Sequence, residues 1–112
     1  MSLYTKYLEE TQNINSIESE HGFITYQIIE SICIIHDFFV LKEFRGSKEA
    51  ILLANYVKDL ASSMGCIAIA CELYKANPLY EYNLKLFKKY GFDQETDEKY
   101  KTILQMKVNA NV

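Results

Sequence analysis

Three side chains that can accept a proton lie in two strongly apolar stretches of the chain. His36 and Asp37 stand within ICIIHDFFVL, and Glu72 stands near the end of CIAIACEL. A carboxylate or an imidazole in such surroundings is a typical general base. Each also has a structural interpretation, for example a hydrogen-bonded buried carboxylate for Asp37 and a solvated strand end for Glu72. Since neighbours on a strand point to opposite faces, we expect that His36 and Asp37 do not line the same cleft.

Three cysteines are the other reactive side chains. Cys33, Cys66 and Cys71 are odd in number and stand inside apolar runs. They form no C-x-x-C pair and have no His cluster nearby, which argues against a metal site. The sequence around them also lacks the positive charge that would activate a thiol. We therefore interpret them as small buried hydrophobic residues.

The first part of the chain predicts a helix, a loop and a hairpin. Apolar residues at helical spacing near the N-terminus predict a short helix, and the polar residues 12–20 predict a loop. Two runs rich in β-branched and aromatic residues follow at 23–29 and 32–41, and only two residues separate them, which predicts a hairpin. The second run is apolar on both alternating faces, so we expect a central strand covered on both sides.

A helix and a further strand follow the hairpin. Apolar positions repeat at the helical period from Ala50 onward, and Gly65 is placed to end that helix. Residues 66–73 have strand composition and come after almost no linker. Strand, helix and strand in this order imply a right-handed crossover, so we expect the strands at 32–41 and 66–73 to be parallel.

The last part of the chain predicts one more helix and one more strand. Asn77 and Pro78 are suited to the cap and the first position of a helix that stops at Gly91. After a polar turn, apolar and polar residues alternate over residues 100–108, which is the period of a strand. Together the elements predict an α/β (α+β) fold of three layers, a mixed central sheet flanked by helices.

Length and charge limit the organisation and the partners. A chain of 112 residues has room for one hydrophobic core, so we expect a single domain over residues 1–112. The net charge of −3 gives no broad basic surface, which argues against binding of nucleic acid. The chain lacks an apolar run of about 20 residues, and its first ten residues carry mixed charge. We therefore expect no membrane association and a cytoplasmic location.

Residues 32–92 resemble the GNAT superfamily of N-acetyltransferases. In that family a central strand ends in a pattern like D-x-x-V-x-P-x-x-R-G-x-G-x-G/A and leads into a helix. The residues that fall on this pattern in register are Asp37, Val40, Phe44, Arg45, Gly46 and Ala50. Further along, LFKKYGF is similar to the family phrase L-Y-E-K-L-G-F, and HDFFVLKEFRG is similar to the corresponding region of polyamine acetyltransferases.

The resemblance implies acetyl-coenzyme A as co-substrate and a primary amine as acceptor. Backbone amides in a turn before a helix N-terminus bind a pyrophosphate well. The pantetheine arm would lie in the gap between the two parallel strands, and Asp37, His36 or Glu72 would take the proton of the amine. Arg45 would contact the pyrophosphate or cap the turn. The cofactor-binding residues that the resemblance implies are Val40, Arg45, Gly46, Ser47, Lys48, Glu49, Ala50 and Phe87.

The sequence departs from the family in three places. Lys48 occupies a position that the family usually gives to Gly, and Phe87 aligns with the Tyr that in many relatives protonates the departing thiolate. A phenyl ring has no proton to donate, so Tyr82, Tyr90 or water would have to replace it. The chain is also N-terminally short for the family. An alternative function is therefore a catalytically impaired module for coenzyme A binding or protein interaction, and a homodimer would cover an exposed sheet edge.

Overall fold

A computed structural model describes residues 2–46 and 48–108. A short 3₁₀ turn spans Lys42–Phe44. The α-helices are α1 Leu3–Gln12, α2 Glu49–Ser63 and α3 Tyr80–Tyr90. The strands are β1 Asn15–Glu18, β2 Gly22–Ile29, β3 Ile32–Val40, β4 Ala68–Tyr74, β5 Gln94–Asp97 and β6 Lys101–Lys107.

The six strands form one mixed sheet in the order β1-β2-β3-β4-β6-β5. The strands β3 and β4 are parallel, and the other neighbouring strands are antiparallel. The predicted hairpin, the central position of β3 and the parallel pairing across the helix crossover are therefore confirmed. The mixed α+β architecture expected from the order of elements is confirmed as well.

Two edge strands were missed by the sequence analysis. The loop predicted over residues 12–20 contains β1, and the polar turn after α3 contains β5. The side chains of β5 are all exposed, so this strand carries none of the apolar alternation that marks a half-buried strand. Its pairing comes from backbone hydrogen bonds to β6, and that of β1 from hydrogen bonds to β2.

The helices cover both faces of the sheet. The buried side of α2 and Phe87 of α3 join a core with Ile24, Cys33 and Leu104. The helix α1 contacts β1 on the opposite face. Its Thr5 Oγ1 donates to Glu18 of β1 at 3.4 Å. The next residue in β1, Ile17, packs against the core. Since neighbouring side chains on a strand point to opposite faces, Glu18 and α1 lie on the face away from that core. The three-layer arrangement predicted from the sequence therefore holds.

The boundaries of α2 and α3 follow their local chemistry. Gly65, with φ of 81°, follows α2 in the left-handed conformation expected after a helix. The helix α3 begins two residues after its predicted first position at Pro78. Asn77 forms a turn first: its Oδ1 accepts the Leu79 N–H at 2.8 Å, and its carbonyl accepts the Tyr80 N–H. Within the described residues, no helix is both long and apolar enough to cross a bilayer.

Candidate functional site

A cleft opens where the two parallel strands separate. Their paired register runs only from Ile32 with Ala68 to Ile35 with Cys71, after which β3 continues to Val40 and β4 to Tyr74. A cavity of about 510 Å³ lies at these separating ends, and α3 closes one side of it. The carboxyl ends of parallel strands are a common place for binding sites in open α/β sheets.

A β-bulge at the start of the cleft changes which side chains face it. Thr25 pairs with Asp37 and Tyr26 pairs with Ile35, so His36 is an extra residue on β3. An extra residue interrupts the strict alternation of side chains. His36 contacts Gln27, whereas Asp37 contacts Thr25, two residues earlier on β2 and on the same face of that strand.

The expectation that His36 and Asp37 do not line the same cleft is therefore wrong. Both line the 510 Å³ cavity, together with Glu72 from β4. The physical reason is the bulge, which the sequence pattern does not reveal because ICIIHDFFVL is apolar on both faces. All three predicted proton acceptors are brought to one cavity by the divergence of β3 from β4.

His36 and Glu72 belong to a chain of polar contacts that crosses four strands. The His36 Nε2 atom lies 3.1 Å from the Gln27 Oε1, and Nδ1 lies 3.8 Å from a carboxylate oxygen of Glu72. The other carboxylate oxygen of Glu72 accepts a hydrogen bond from Lys101 Nζ at 2.5 Å. That contact raises the pKa of Lys101. Lys101 stands opposite Tyr74 and so reaches Glu72 diagonally across the β4–β6 pair.

Asp37 is held differently. The Thr25 hydroxyl donates to its carboxylate and accepts its backbone N–H, both at 2.9 Å. Thr25 is fully buried, whereas Asp37 is exposed. The paired hydrogen bonds tie the two strands together where the bulge would otherwise leave the ladder open. This geometry favours a structural role for Asp37, with one carboxylate oxygen left for solvent or ligand.

A second cavity of about 360 Å³ adjoins the first. The two share Phe38 and Phe87, and the second extends between α2 and α3 to Gly46 and Ala50 at the start of α2. The two cavities therefore lie one after the other, from the turn before α2 to the gap between β3 and β4, with Phe38 and Phe87 between them.

The turn before α2 combines a glycine in the left-handed region with the N-terminus of a helix. Gly46 has φ of 85°, a conformation that favours glycine. Lys48 is exposed and has an ordinary right-handed backbone, with φ of −77°, so the backbone conformation at this position does not require a glycine. The first amides of an α-helix have no acceptor within the helix and point outward. Ser47, also predicted to bind cofactor, lies outside the described residues.

Arg45 and Val40 face inward and contact each other. The Arg45 Nε donates to the Val40 carbonyl at 3.0 Å, and its guanidinium lies 5.5 Å from the centre of the Phe39 ring and 6.0 Å from that of Tyr82. Val40 is 2% exposed and packs in the core. These contacts hold the turn against the end of β3, which favours the interpretation of Arg45 as a cap.

The aromatic side chains considered as proton donors, and the Phe that replaces the family's Tyr, have different surroundings. Tyr90 donates to Asn55 Oδ1 at 2.6 Å, and burial raises the pKa of this tyrosine, which makes it a weaker acid. Tyr82 lines the second cavity at the level of Arg45, where its ring meets the guanidinium. Phe87 is 2% exposed and packs edge-on against Phe38.

Tyr80 lines the first cavity but was not among the proton donors that the sequence suggested. Its hydroxyl lies 2.6 Å from the Thr102 hydroxyl, which donates to Asp97. Hydrogen bonds from Lys75 and Thr102 lower the pKa of Asp97 and keep it ionised. Since Thr102 has one proton to give, Tyr80 must donate to Thr102. Its own proton is therefore not available to a ligand.

The cysteines are buried, as the sequence predicts. Burial raises the pKa of Cys33 and of Cys71 to about 12, and it also raises the pKa of Cys66. At neutral pH such thiols are almost entirely protonated and unreactive. Among the described residues, no group of three His, Cys, Asp or Glu side chains is arranged to hold a metal ion.

Lys48→Gly tests whether the turn binds a pyrophosphate. The exposed ammonium of Lys48 stands at the N-terminus of α2, so its removal should change the affinity for coenzyme A at least about threefold through the lost charge and the freer backbone. Isothermal titration of both proteins with coenzyme A measures this. A matched variant, Lys58→Gly, changes an exposed lysine in the middle of the same helix. Equal dissociation constants for parent and Lys48→Gly would contradict the assignment of this turn.

The solved structures that share this fold include N-acetyltransferases. One is the PaiA N-acetyltransferase of Thermoplasma acidophilum in complex with coenzyme A. Its alignment covers 94% of this chain and 68% of the PaiA chain, with a TM-score of 0.75 and 17% sequence identity. The alignment with Arabidopsis thaliana NAA60, in complex with a bisubstrate analogue, covers 95% of this chain and 83% of the NAA60 chain, with a TM-score of 0.71 and 15% sequence identity. The alignment with the anti-CRISPR protein AcrVA5 covers 83% of this chain and 97% of the AcrVA5 chain, with a TM-score of 0.68 and 21% sequence identity. No protein-family model matches the sequence, and neither does any curated protein.

Proposed function

We propose that this chain, which has the fold of the GNAT N-acetyltransferases, binds acetyl-coenzyme A and transfers its acetyl group to a primary amine. The observation that carries the proposal is that two neighbouring cavities share Phe38 and Phe87 as lining residues. One begins at the turn before α2 and the other lies between the separated ends of β3 and β4, with Phe38 and Phe87 at their junction. Coenzyme A has a matching layout, with a pyrophosphate and a long neutral arm that ends in the thioester.

The residues present fit that ligand. The pyrophosphate meets the turn around Gly46 and the first amides of α2. The arm enters the gap beyond Ile35, where the edge of β3 that faced β4 is released from parallel pairing and can hydrogen-bond to the amides of the arm. The coenzyme supplies an activated acetyl group, and the protein supplies the cavity and the proton acceptors.

His36 and Glu72 are the proposed proton acceptors. The amine loses a proton to this pair, directly or through one water, and then attacks the acetyl carbonyl. The C–N bond forms, the C–S bond breaks, and the electron pair leaves with sulfur as a thiolate, while the nitrogen releases its second proton to solvent or to the departing thiolate. Lys101 keeps Glu72 in place through its hydrogen bond, and Gln27 orients the imidazole ring. Asp37 maintains the bulge that turns His36 toward the cavity.

A thermal melt with acetyl-coenzyme A tests the proposal first. A ligand at 100 times its dissociation constant stabilises the folded state by about 2.7 kcal/mol. For a domain of this size we expect the melting temperature to rise by roughly 10 °C. ADP, which has the pyrophosphate but no pantetheine arm, should give a smaller rise. An unchanged melting temperature at millimolar acetyl-coenzyme A would contradict cofactor binding.

Release of coenzyme A thiol measures the reaction itself. Because the protein's own cysteines are buried and protonated, they contribute little background to a thiol reagent. Polyamines, amino sugars and peptide amines form the panel of acceptors. Turnover with any of them supports the transferase.

A second candidate function is a module that binds coenzyme A without efficient transfer. Phe87 favours it, because this ring lies at the junction of the cavities and has no proton for the thiolate. Binding of acetyl-coenzyme A without turnover on any amine would support this alternative. A homodimer that pairs through the short edge strand β1 is part of the proposal as well, and sizing in solution tests it.

A further inference from the structure

A short turn between β1 and β2 contacts the connecting segment that leads from the end of β3 at Val40 to the start of α2 at Glu49. This bracing turn, residues 19–22, is closed on itself because the Ser19 N–H donates to the Gly22 carbonyl at 2.9 Å. Gly22 lies so close to β3 that a Cβ atom there would be 2.5 Å from the Phe39 carbonyl oxygen. The approach of the bracing turn to the end of β3 therefore requires a glycine.

The bracing turn contacts the connecting segment at its beginning, middle and end. At the beginning, the Leu41 N–H donates to the His21 carbonyl at 2.8 Å. In the middle, the His21 ring stacks on Phe44, with ring centres 3.5 Å apart and planes 5° from parallel. At the end, a carboxylate oxygen of Glu49 accepts the Ser19 hydroxyl at 2.5 Å and the His21 N–H at 3.3 Å.

These contacts order the connecting segment before a ligand binds. Without them, the segment would lose conformational entropy in the binding step. Ordering a backbone costs conformational entropy, and contacts made before binding remove that cost from the binding step. Arg45 and Gly46 lie between two braced residues, Phe44 and Glu49. The second of these, Glu49, begins α2. Glu49 itself stands in the first turn of α2, yet its carboxylate is directed to the bracing turn.

We propose that His21 and Glu49 are positioning residues that hold the connecting segment in the conformation that binds the pyrophosphate of coenzyme A. This inference rests on the proposed function and goes beyond it, because neither side chain touches the cavities. It assigns Glu49 a role through the bracing turn in place of the direct cofactor contact implied by the resemblance.

His21 allows a matched pair of variants. His21→Phe keeps an aromatic ring to stack on Phe44, whereas His21→Ala removes it, and both keep the backbone groups that bond to Leu41 and Glu49. A stacked aromatic pair contributes about 0.5–1.5 kcal/mol. We therefore expect His21→Ala to bind coenzyme A about 3- to 10-fold more weakly than His21→Phe, with KM for acetyl-coenzyme A raised in the same proportion and kcat the same in both. Equal affinities of the two variants would overturn the role of the stack.

Glu49 allows a second pair that separates bracing from charge. Glu49→Gln keeps an acceptor oxygen for Ser19 and His21, and Glu49→Ala keeps none, while both remove the same negative charge from the helix N-terminus. We expect Glu49→Ala to bind coenzyme A about 3- to 10-fold more weakly than Glu49→Gln, since hydrogen bonds of this kind contribute about 1 kcal/mol or more. Equal affinities would mean that only the charge of Glu49 matters and would overturn its positioning role.

Amide hydrogen exchange in the free protein keeps the test independent of coenzyme A. The amides of Phe44, Arg45 and Gly46 should exchange faster in His21→Ala than in His21→Phe, while core amides of β4 exchange at the same rate in both. If the parent protein fails to bind coenzyme A, the proposed function fails, and the exchange rates still decide whether the segment is braced. Equal exchange in the two variants would overturn the inference even in a protein that binds coenzyme A.

Discussion

Glu72→Gln is expected to lower kcat/KM for an amine acceptor about 10²- to 10³-fold while the dissociation constant of acetyl-coenzyme A stays within twofold. General base catalysis contributes on the order of 10²–10⁴ to a rate, and the amide of Gln cannot take the proton of the amine. Glu72 lines the cavity between the separated strands, 3.8 Å from His36, and is oriented by Lys101. A loss in kcat/KM without a loss of cofactor affinity identifies an interaction made in the reaction and not in cofactor binding.

The effect should be specific to the cavity. Glu98→Gln removes an exposed carboxylate next to β6 that lines neither cavity, and its rate should match that of the parent protein. His36→Gln should resemble Glu72→Gln, and the double variant should lose little more than either single variant, because residues that act as one unit are not additive. Rates of Glu72→Gln and His36→Gln within threefold of the parent would show that the base lies elsewhere.

Phe87→Tyr is expected to raise kcat about 10-fold or more. The ring stands at the junction of the two cavities, where the proposed thioester lies, and the hydroxyls of Tyr80 and Tyr90 already donate to Thr102 and Asn55. A thiolate with a pKa near 8.5 leaves without an acid, but one positioned proton donor contributes about 10²-fold in favourable cases. The added hydroxyl would supply that donor. Thiol release at saturating acetyl-coenzyme A measures kcat.

A matched control separates this gain from a general effect of adding a hydroxyl. Phe92 packs edge-on against Phe87, is 3% exposed and lines neither cavity, so Phe92→Tyr should not raise kcat. Both variants place a hydroxyl among buried rings, which costs about 1–3 kcal/mol where it finds no partner, and a thermal melt shows how much of the protein remains folded. A folded Phe87→Tyr variant with unchanged kcat would mean that departure of the thiolate does not limit the reaction.

The two outcomes together distinguish the candidate functions. An active parent that loses its rate in Glu72→Gln is an acetyltransferase with its base in the cleft. An inactive parent that binds acetyl-coenzyme A and gains turnover in Phe87→Tyr is a binding module whose chemistry is limited by one missing proton donor. Polyamines, amino sugars and peptide amines serve as acceptors in both cases.

The sequence predicted the parts of this protein that depend on local pattern. The two apolar runs that became β3 and β4, the helix between them and the parallel direction that follows from a right-handed crossover were all visible in the order of residues. The edge strands β1 and β5 were not visible, because both are four residues long and mostly polar, so they carry little apolar alternation.

Only the tertiary structure decided which side chains meet. One extra residue in β3 brings His36 and Asp37 to the same cavity, against the period of two that the sequence implied. Pairing across strands joins Glu72 to Lys101, and the position of α3 over the sheet brings the Tyr80 hydroxyl to Thr102. The residue types and their order along the chain were therefore sufficient for the elements and for the candidates for chemistry. The assembly of the site was not, because a bulge and a diagonal ion pair depend on the register between strands, and the Tyr80 hydrogen bond depends on how α3 packs on the sheet.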